Sequence, residues 1–360
     1  MPHPRPPPRP SSPHPCHEVP FHFARHTQPW SIGSAAANPT PTLPSPTELA
    51  FGIISTESST GLRLGFEPFL EKLSARLGLK VRGFYASDYA GVIEAMRFGK
   101  VHLAWMGNAA AIQAIDRAGA EVFAQSTGPD GSTGFSSVII VPAKSPYADV
   151  EALVAAAPLL NFGNGDPLST TGNLIPNYYL WAPRGLDPRR AFKRVRNANH
   201  EVNALAVAAG QVDFATNNTE SLARLRQRHP AAADKIRVIW TSPEIPRDPL
   251  VYRADLPREL KTKVQAAFLA FGRMGPDAEA DRRLLAAIAD GWGPFLTADN
   301  RQLLTLRRFE LERDAMVLDA ETRLDPAEKA TRAAAARERQ RQLLDYEKLG
   351  LFWNGVKAPR

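Results

Sequence analysis

The sequence predicts an α/β protein folded as two lobes, and three observations lead there. Short apolar runs alternate with stretches of helical periodicity from about residue 49 onward, the pattern of strand–helix units stacked into a largely parallel sheet. The chain leaves the first such set through a long strand at 135–142 and comes back through 243–252. Two crossings of that kind make a hinge with a cleft beside it. The length, 360 residues, suffices for two cores of ordinary domain size.

Taken in order, residues 49–54 form an apolar strand that ends in the polar turn Ser55-Thr56-Glu57-Ser58-Ser59. Phe66, Phe69, Leu70, Leu73 and Leu77 then recur at helical spacing. Residues 79–85 read as a second strand and 89–98 as a second helix. A third strand at 101–105 is followed by a third helix at 109–118, and a short fourth strand covers 121–124. Ligands in open sheets of this type collect beyond the carboxyl ends of strands, and Ser55, Thr56, Tyr89 and Asn108 fall there. The run 135–142 reads as one long strand into the second lobe. Strand and turn at 159–172 precede a helix through Tyr178 and Tyr179. Further strands are expected at 192–197, 211–216 and 236–241, with a helix opening at His200. From Leu256 on the chain reads as helical, with Pro294 and Pro326 as breaks. No stretch repeats another.

The totals exclude several classes of function. Lys and Arg number 44 against 37 Asp and Glu, a net charge of +7. That excess favours anionic partners, but it comes without a basic stripe interleaved with aromatics, so nucleic acid is not expected. No run approaches the roughly 18 apolar residues of a membrane span. The single Cys16 rules out an intramolecular disulfide and a cysteine-based zinc cluster. Residues 1–48 are dominated by Pro, lack hydrophobic periodicity, and hold His3, His14, His17, His22 and His26. Such a segment buries too little apolar surface to offset chain entropy and reads as disordered; the irregular histidine spacing suits a floppy tail better than a metal site. A charged start followed by about 7–15 apolar residues is missing, so export would depend on something upstream or on a different start codon.

The densest local signal lies at 161–172. A strand-like run ends in Gly163-Asn164-Gly165-Asp166-Pro167, and Ser169, Thr170, Thr171 and Gly172 follow before a helix. This order presents hydroxyls and backbone N–H groups at a helix start, where an oxyanion sits well. Alone it is weak, because Ser/Thr runs before helices are commonly plain caps.

Six segments in series carry a resemblance: Phe51-Gly-Ile-Ile-Ser-Thr-Glu-Ser58, Asp88-Tyr-Ala-Gly-Val-Ile93, Asn161-Phe-Gly-Asn-Gly-Asp-Pro167 with Ser169 and Thr170, His200-Glu-Val-Asn-Ala-Leu-Ala-Val207, Ala215-Thr-Asn-Asn-Thr-Glu220, and Ile245-Pro-Arg-Asp-Pro249. From about Leu49 to Pro294 the chain resembles the periplasmic phosphonate-binding proteins of bacterial ABC importers, of the phosphate/phosphite/phosphonate substrate-binding family. The resemblance implies a class II periplasmic binding-protein fold, α/β and two-lobed, with hinge crossovers and a C-terminal helical arm. Lobe 1 would comprise 49–137 with 252–295, lobe 2 138–251, and the arm 296–360. It implies a periplasmic, non-enzymatic protein with no cofactor, no metal and no catalytic residue, delivering a small phosphonate to an ABC transporter permease. It also implies that the C-terminal helices can pair two protomers.

Site roles carry over on the same terms. Ser169 and Thr170, with Thr171 and nearby N–H groups, match the residues that hold the phosphonate oxygens, and His200 joins them; Tyr89 matches a cleft tyrosine. A dianion there gains charge-assisted hydrogen bonds, and an imidazole can add a proton or a charge. Glu220 and Asp248 match the carboxylates that receive the amino group of an aminoalkylphosphonate such as 2-aminoethylphosphonate, an ammonium that would otherwise be buried unpaired. Read without the resemblance, His200 is a capping or core histidine, Tyr89 a helix-face residue, Glu220 a first-turn acid and Asp248 a turn residue. Phe135 stands where the family carries Tyr, which removes one hydroxyl. Ser55, Thr56 and Ser58 are further candidate contacts. The alternatives are a binding protein for phosphite or phosphate, and a cleft enzyme on the same fold, resembling a pyrimidine synthase. The enzyme needs a second His or a Cys near His200, and neither His102 nor His229 falls at a strand end expected to face the cleft. A regulator's effector half would need a winged-helix or membrane segment before residue 49, and none is read there.

Overall fold

A computed structural model of the chain describes residues 46–288 and 291–348. The proline-rich segment up to residue 45, with its five histidines and Cys16, lies outside the described residues.

Two separate sheets form the two lobes. Strands β1 (Glu48–Ile53), β2 (Lys80–Tyr85), β3 (Leu103–Trp105) and β4 (Ala120–Thr127) belong to the first. The short β5 (Gly134–Phe135) leads out of it. The second sheet is built from β6 (Ser137–Pro142), β7 (Asn161–Asn164), β8 (Arg194–Asn197), β9 (Phe214–Asn218) and β10 (Ile236–Thr241). The chain returns through β11 (Ile245–Pro246) and β12 (Pro249–Arg253), and β13 (Gly293–Thr297) completes the first sheet. The strand orders are β13-β4-β12-β3-β1-β2 and β10-β6-β9-β7-β8, with β11 and β5 forming a two-stranded ribbon between them.

The first sheet is mixed rather than largely parallel. β1 runs parallel to β2 and β3, but β12 inserts antiparallel between β3 and β4, and β13 is antiparallel to β4. The cause is the hinge, since a strand that re-enters from the other lobe arrives running the opposite way. The single strand expected over 135–142 is divided at Ser136. Gly134 and Phe135 pair with Pro246 and Ile245 in the hinge ribbon, and only from Ser137 does the chain join the second sheet. The all-helical reading after Leu256 missed β13, which is short and contains Pro294.

An aromatic core fills one side of the first lobe. Phe51, Phe66, Phe69, Trp105, Phe123, Phe268, Trp292 and Phe295 are buried there in mutual ring contact, a geometry that adds to area burial. In the second lobe β6 alternates strictly: Ile139 and Val141 pack with Phe162, Trp181, Phe192 and Phe214, whereas Val138 and Ile140 pack with Ala204, Val207, Leu222 and Leu225. Both faces of β6 are therefore covered, which explains its continuous apolar run Val138-Ile139-Ile140-Val141.

The segment after residue 300 is only partly an arm. In the helix Leu304–Ala320, Leu306 and Phe309 are buried in the first lobe's core cluster. Phe309 stacks on Tyr178 at 4.4 Å, and the Tyr178 hydroxyl donates to Glu312 at 2.6 Å. That helix thus packs against residues of both lobes. The following helix, Pro326–Lys348, packs on it.

Candidate functional site

The site is built outward from the turn after β7. Ser169 has extended backbone, and its Oγ accepts the Gly172 N–H at 3.0 Å, the geometry of an N-cap. The helix it opens is wound as π-helix over Thr170–Leu174 and again over Asn177–Trp181; insertions of that kind recur at functional sites because they re-aim side chains. The turn folds back tightly, with the Gly165 N–H donating to the Gly172 carbonyl at 3.0 Å. A Cβ at Gly165 would stand 2.4 Å from Gly172 Cα, so a side chain there is excluded.

Each hydroxyl of the run has a defined seat. Thr170 Oγ1 accepts the Ala109 N–H from the first lobe at 3.0 Å. Thr171 Oγ1 accepts from Asn218 Nδ2 at 3.3 Å, and the Thr171 carbonyl takes the Ser137 hydroxyl at 2.7 Å. His200 is the first residue of the helix His200–Ala208, capped by the Asn199 side chain. Its Nε2 lies 3.4 Å from Ser169 Oγ, and Asn217 Nδ2 donates to its carbonyl at 2.9 Å. Asp166, in the same turn, accepts the Tyr89 N–H from the first lobe at 3.2 Å and the Leu168 N–H at 2.8 Å. Burial raises its pKa from the ordinary value, against the lowering effect of those two N–H groups.

One cavity between the lobes is lined by Thr56, Tyr89, Gly107, Phe135, Ser169, Thr170, Thr171, His200, Asn218 and Asp248. Of the residues expected at a ligand, Thr56, Tyr89, Phe135, Ser169, Thr170, Thr171, His200 and Asp248 thus meet in one place. Ser55 is buried beside Thr56 but is not part of the lining. Glu220 is not part of it either: its carboxylate, in the first turn of the helix Thr219–Arg228, is ion-paired with Arg247. Gly107 and Asn218 were not singled out from the sequence. Asn218 lies inside one of the six recognised segments and also caps the helix Thr219–Arg228, so a capping signal was present there. A carbon at Gly107 would stand 3.3 Å from Thr170 Oγ1 and 3.9 Å from Asp248 Oδ1. The hydroxyl run and the carboxylate therefore approach the same small space, and glycine leaves that space open.

Asp248 and Arg247 sit in the hinge, which is held by side-chain amides. Asn108, expected near the ligand, instead donates to the Pro246 carbonyl at 2.8 Å. Gln302 donates to the Arg247 carbonyl at 2.8 Å, and Ser126 gives both its N–H and its hydroxyl to the Asp248 carbonyl.

Beside the cavity, a charged seam joins the lobes. Glu57, from the turn after β1, is ion-paired with Arg228 and lies 3.9 Å from Arg224. Glu201 Oε2 accepts the Ser58 N–H at 2.9 Å, so Ser58 serves as a cap and a lobe contact. His229 lines this seam together with His200, 3.4 Å from Glu201 Oε1. It is not at a strand end, as the sequence indicates; it reaches the seam as the C-cap of the helix Thr219–Arg228, whose Arg228 pairs with Glu57 just after β1. His102 lies elsewhere: its Nδ1 accepts the Ala50 N–H at 3.0 Å within the first sheet. No group of three or more metal-ligating side chains occurs among the described residues.

Residues 51–303 match the model of the family described as ABC transporter, phosphonate, periplasmic substrate-binding protein. The chain belongs to this family. It is 42% identical to the phosphonates-binding periplasmic protein of Escherichia coli K12 over 84% of this chain and 86% of that one. It is also similar to the crystal structure of a binding-protein component of an ABC phosphonate transporter from Pseudomonas aeruginosa, with 43% identity, TM-score 0.79, and coverage of 83% and 97%. A protein from Prochlorococcus marinus in complex with methylphosphonate shares the fold at 20% identity and TM-score 0.64, over 74% of this chain and 98% of that one. The chain is accordingly a periplasmic binding protein of phosphonate transport with the two-lobed fold, a transport component and not an enzyme.

Proposed function

We propose that the cavity binds an aminoalkylphosphonate such as 2-aminoethylphosphonate and that the closed protein delivers it to the permease of an ABC importer. The observation that carries this reading is the approach of Thr170 Oγ1 and Asp248 Oδ1 to within 4 Å of one point at Gly107. A short ligand with an anion at one end and an ammonium at the other fits between such groups.

In this reading Ser169, Thr170 and Thr171 donate hydroxyl hydrogens to the phosphonate oxygens, with His200 adding an N–H; bonds to an ionised acceptor are about twice as strong as neutral ones. Tyr89 and Thr56 contribute from the first lobe, so ligand contacts come from both lobes and favour closure. Asp248 receives the ammonium. Phe135 offers a ring edge where a tyrosine would offer a hydroxyl, a change confined to the ligand's side chain. The lobes are proposed to follow 49–137 with 252–295 and 138–251, except that β6 of the second sheet starts at Ser137 while β12 (Pro249–Arg253) and β13 (Gly293–Thr297) of the first sheet overrun those bounds; the helices beyond 296 are proposed to pair protomers.

Calorimetry of the full chain against 2-aminoethylphosphonate, methylphosphonate, phosphite and phosphate tests the reading. Tightest binding of 2-aminoethylphosphonate is expected. Tighter binding of phosphate or phosphite than of either phosphonate would overturn it.

A further inference from the structure

Arg247 is paired with one of the two carboxylates expected to take the ligand's ammonium and directly precedes the other in the chain. Its side chain is only 5% exposed, it is ion-paired with Glu220 at 13%, and Asp248 follows it in the chain. The guanidinium is also fixed by other partners. Nη2 donates to the Gly291 carbonyl at 3.2 Å, Nη1 approaches Ser132 Oγ at 3.4 Å, and the Arg247 N–H donates to the Thr133 carbonyl at 2.9 Å. A ligand ammonium would have to displace an anchored guanidinium to reach Glu220.

Resting on the phosphonate reading above, we propose that Arg247 is a specificity-determining residue. It cancels the Glu220 charge and leaves Asp248 as the carboxylate that reads the ligand's tail. The site then distinguishes an ammonium-bearing phosphonate from a neutral-tailed one by one carboxylate, not two. The substrate class widens accordingly, to phosphonates with either an ammonium or a small uncharged tail. Arg247 touches no ligand atom in this account, and its effect is electrostatic through Glu220.

The test is a charge cycle at positions 220 and 247, read as the ratio of the dissociation constants of methylphosphonate and 2-aminoethylphosphonate. Arg247→Gln exposes Glu220 to the tail and is expected to raise that preference for the ammonium ligand roughly tenfold. Glu220→Gln leaves the guanidinium uncompensated and is expected to lower it by a similar factor. The double variant removes both charges and is expected to return to within about threefold of the wild-type ratio. Arg247→Lys keeps the charge and is expected to leave the ratio unchanged. An unchanged ratio in Arg247→Gln, or a double variant as impaired as Glu220→Gln alone, would overturn the proposal. If Arg247→Gln fails to fold because a buried carboxylate has lost its partner, the comparison of Glu220→Gln with the double variant decides it. Methylphosphonate affinity of the wild type separates the two levels: if no phosphonate binds, the functional reading fails, whereas normal methylphosphonate binding with an unmoved ratio sinks Arg247 alone.

Discussion

The hydroxyl end and the carboxylate end of the cavity are built in different ways. At the hydroxyl end, Ser169, Thr170 and Thr171 are consecutive, neutral, and held by backbone and side-chain amides. In the proposed reading its pull on an anion comes from aligned donors at a helix start, so no counter-charge has to be buried with it. At the other end only Asp248 lines the cavity, and behind it in the hinge Arg247 forms a buried ion pair with Glu220 from another segment. Buried charges of that kind contribute selectivity more dependably than stability, because desolvation offsets much of their attraction. One end should therefore set how tightly any phosphonate binds, and the other which phosphonate is preferred.

The largest expected effect belongs to the hydroxyl end. Ser169→Ala removes the proposed donor to the ligand and the acceptor for the Gly172 N–H together. A lost hydrogen bond to a charged group is worth roughly 1.5–3 kcal/mol, so every phosphonate should bind about ten- to hundredfold more weakly. Titration of two ligands checks this, and a loss confined to 2-aminoethylphosphonate would break the division of labour. Asp248→Asn should do the converse. It should cost the ammonium ligand about tenfold while methylphosphonate stays within about threefold of wild type; equal losses for the two ligands would merge the ends into one.

The hydroxyl end was legible because its chemistry is local. A strand, a Gly/Asn/Asp/Pro turn and three hydroxyls occur in a row, and the N-cap at Ser169 follows from residue type alone. The carboxylate end was legible only as two acids. Nothing in the order Pro246-Arg247-Asp248-Pro249 states that Arg247 will meet Glu220, 27 residues earlier in the chain, because that meeting depends on how the hinge ribbon and the second lobe close. The fold shows the same limit. Apolar runs revealed most strands, but two serines at 136 and 137 do not by themselves announce that the chain changes sheets there, and β13 is hidden by Pro294. The π-helical winding after Ser169 departs from the 3.6-residue period through a backbone shift that no residue type announces.

A third group, touching neither end, should act on both alike. Glu57 bridges from the first lobe to Arg228 and Arg224 on the second, and its side chain is 8% exposed. If closure is an equilibrium, an interlobe pair raises the closed population and with it the apparent affinity for every ligand. Glu57→Gln should weaken 2-aminoethylphosphonate and methylphosphonate by one common factor, roughly three- to tenfold. The variant's affinity should also depend less steeply on salt. A change in their ratio would place Glu57 at the ligand instead of at the lobe contact.

The smallest effect lies outside the cleft and supplies a control for acid titrations of the site. His102 accepts the Ala50 N–H through Nδ1, which requires the neutral ring, and burial together with Arg253 lowers its pKa from 6.5. The folded chain thus resists a proton that the unfolded chain accepts below 6.5. Stability from this group is fully present above 6.5 and is lost as pH falls through the interval beneath it. The slope there approaches about 1.4 kcal/mol per pH unit and levels off once the folded value is passed. Urea melts between neutral and mildly acid pH should show a shallower loss in His102→Gln, whose amide oxygen can still accept the Ala50 N–H. The ratio of the two ligands' affinities should stay that of the wild type at each pH, since His102 addresses neither end of the cavity. Parallel pH profiles of stability for variant and wild type would refute the role, and a shifted ligand ratio would tie the first sheet to the carboxylate end more closely than the geometry of the hinge allows.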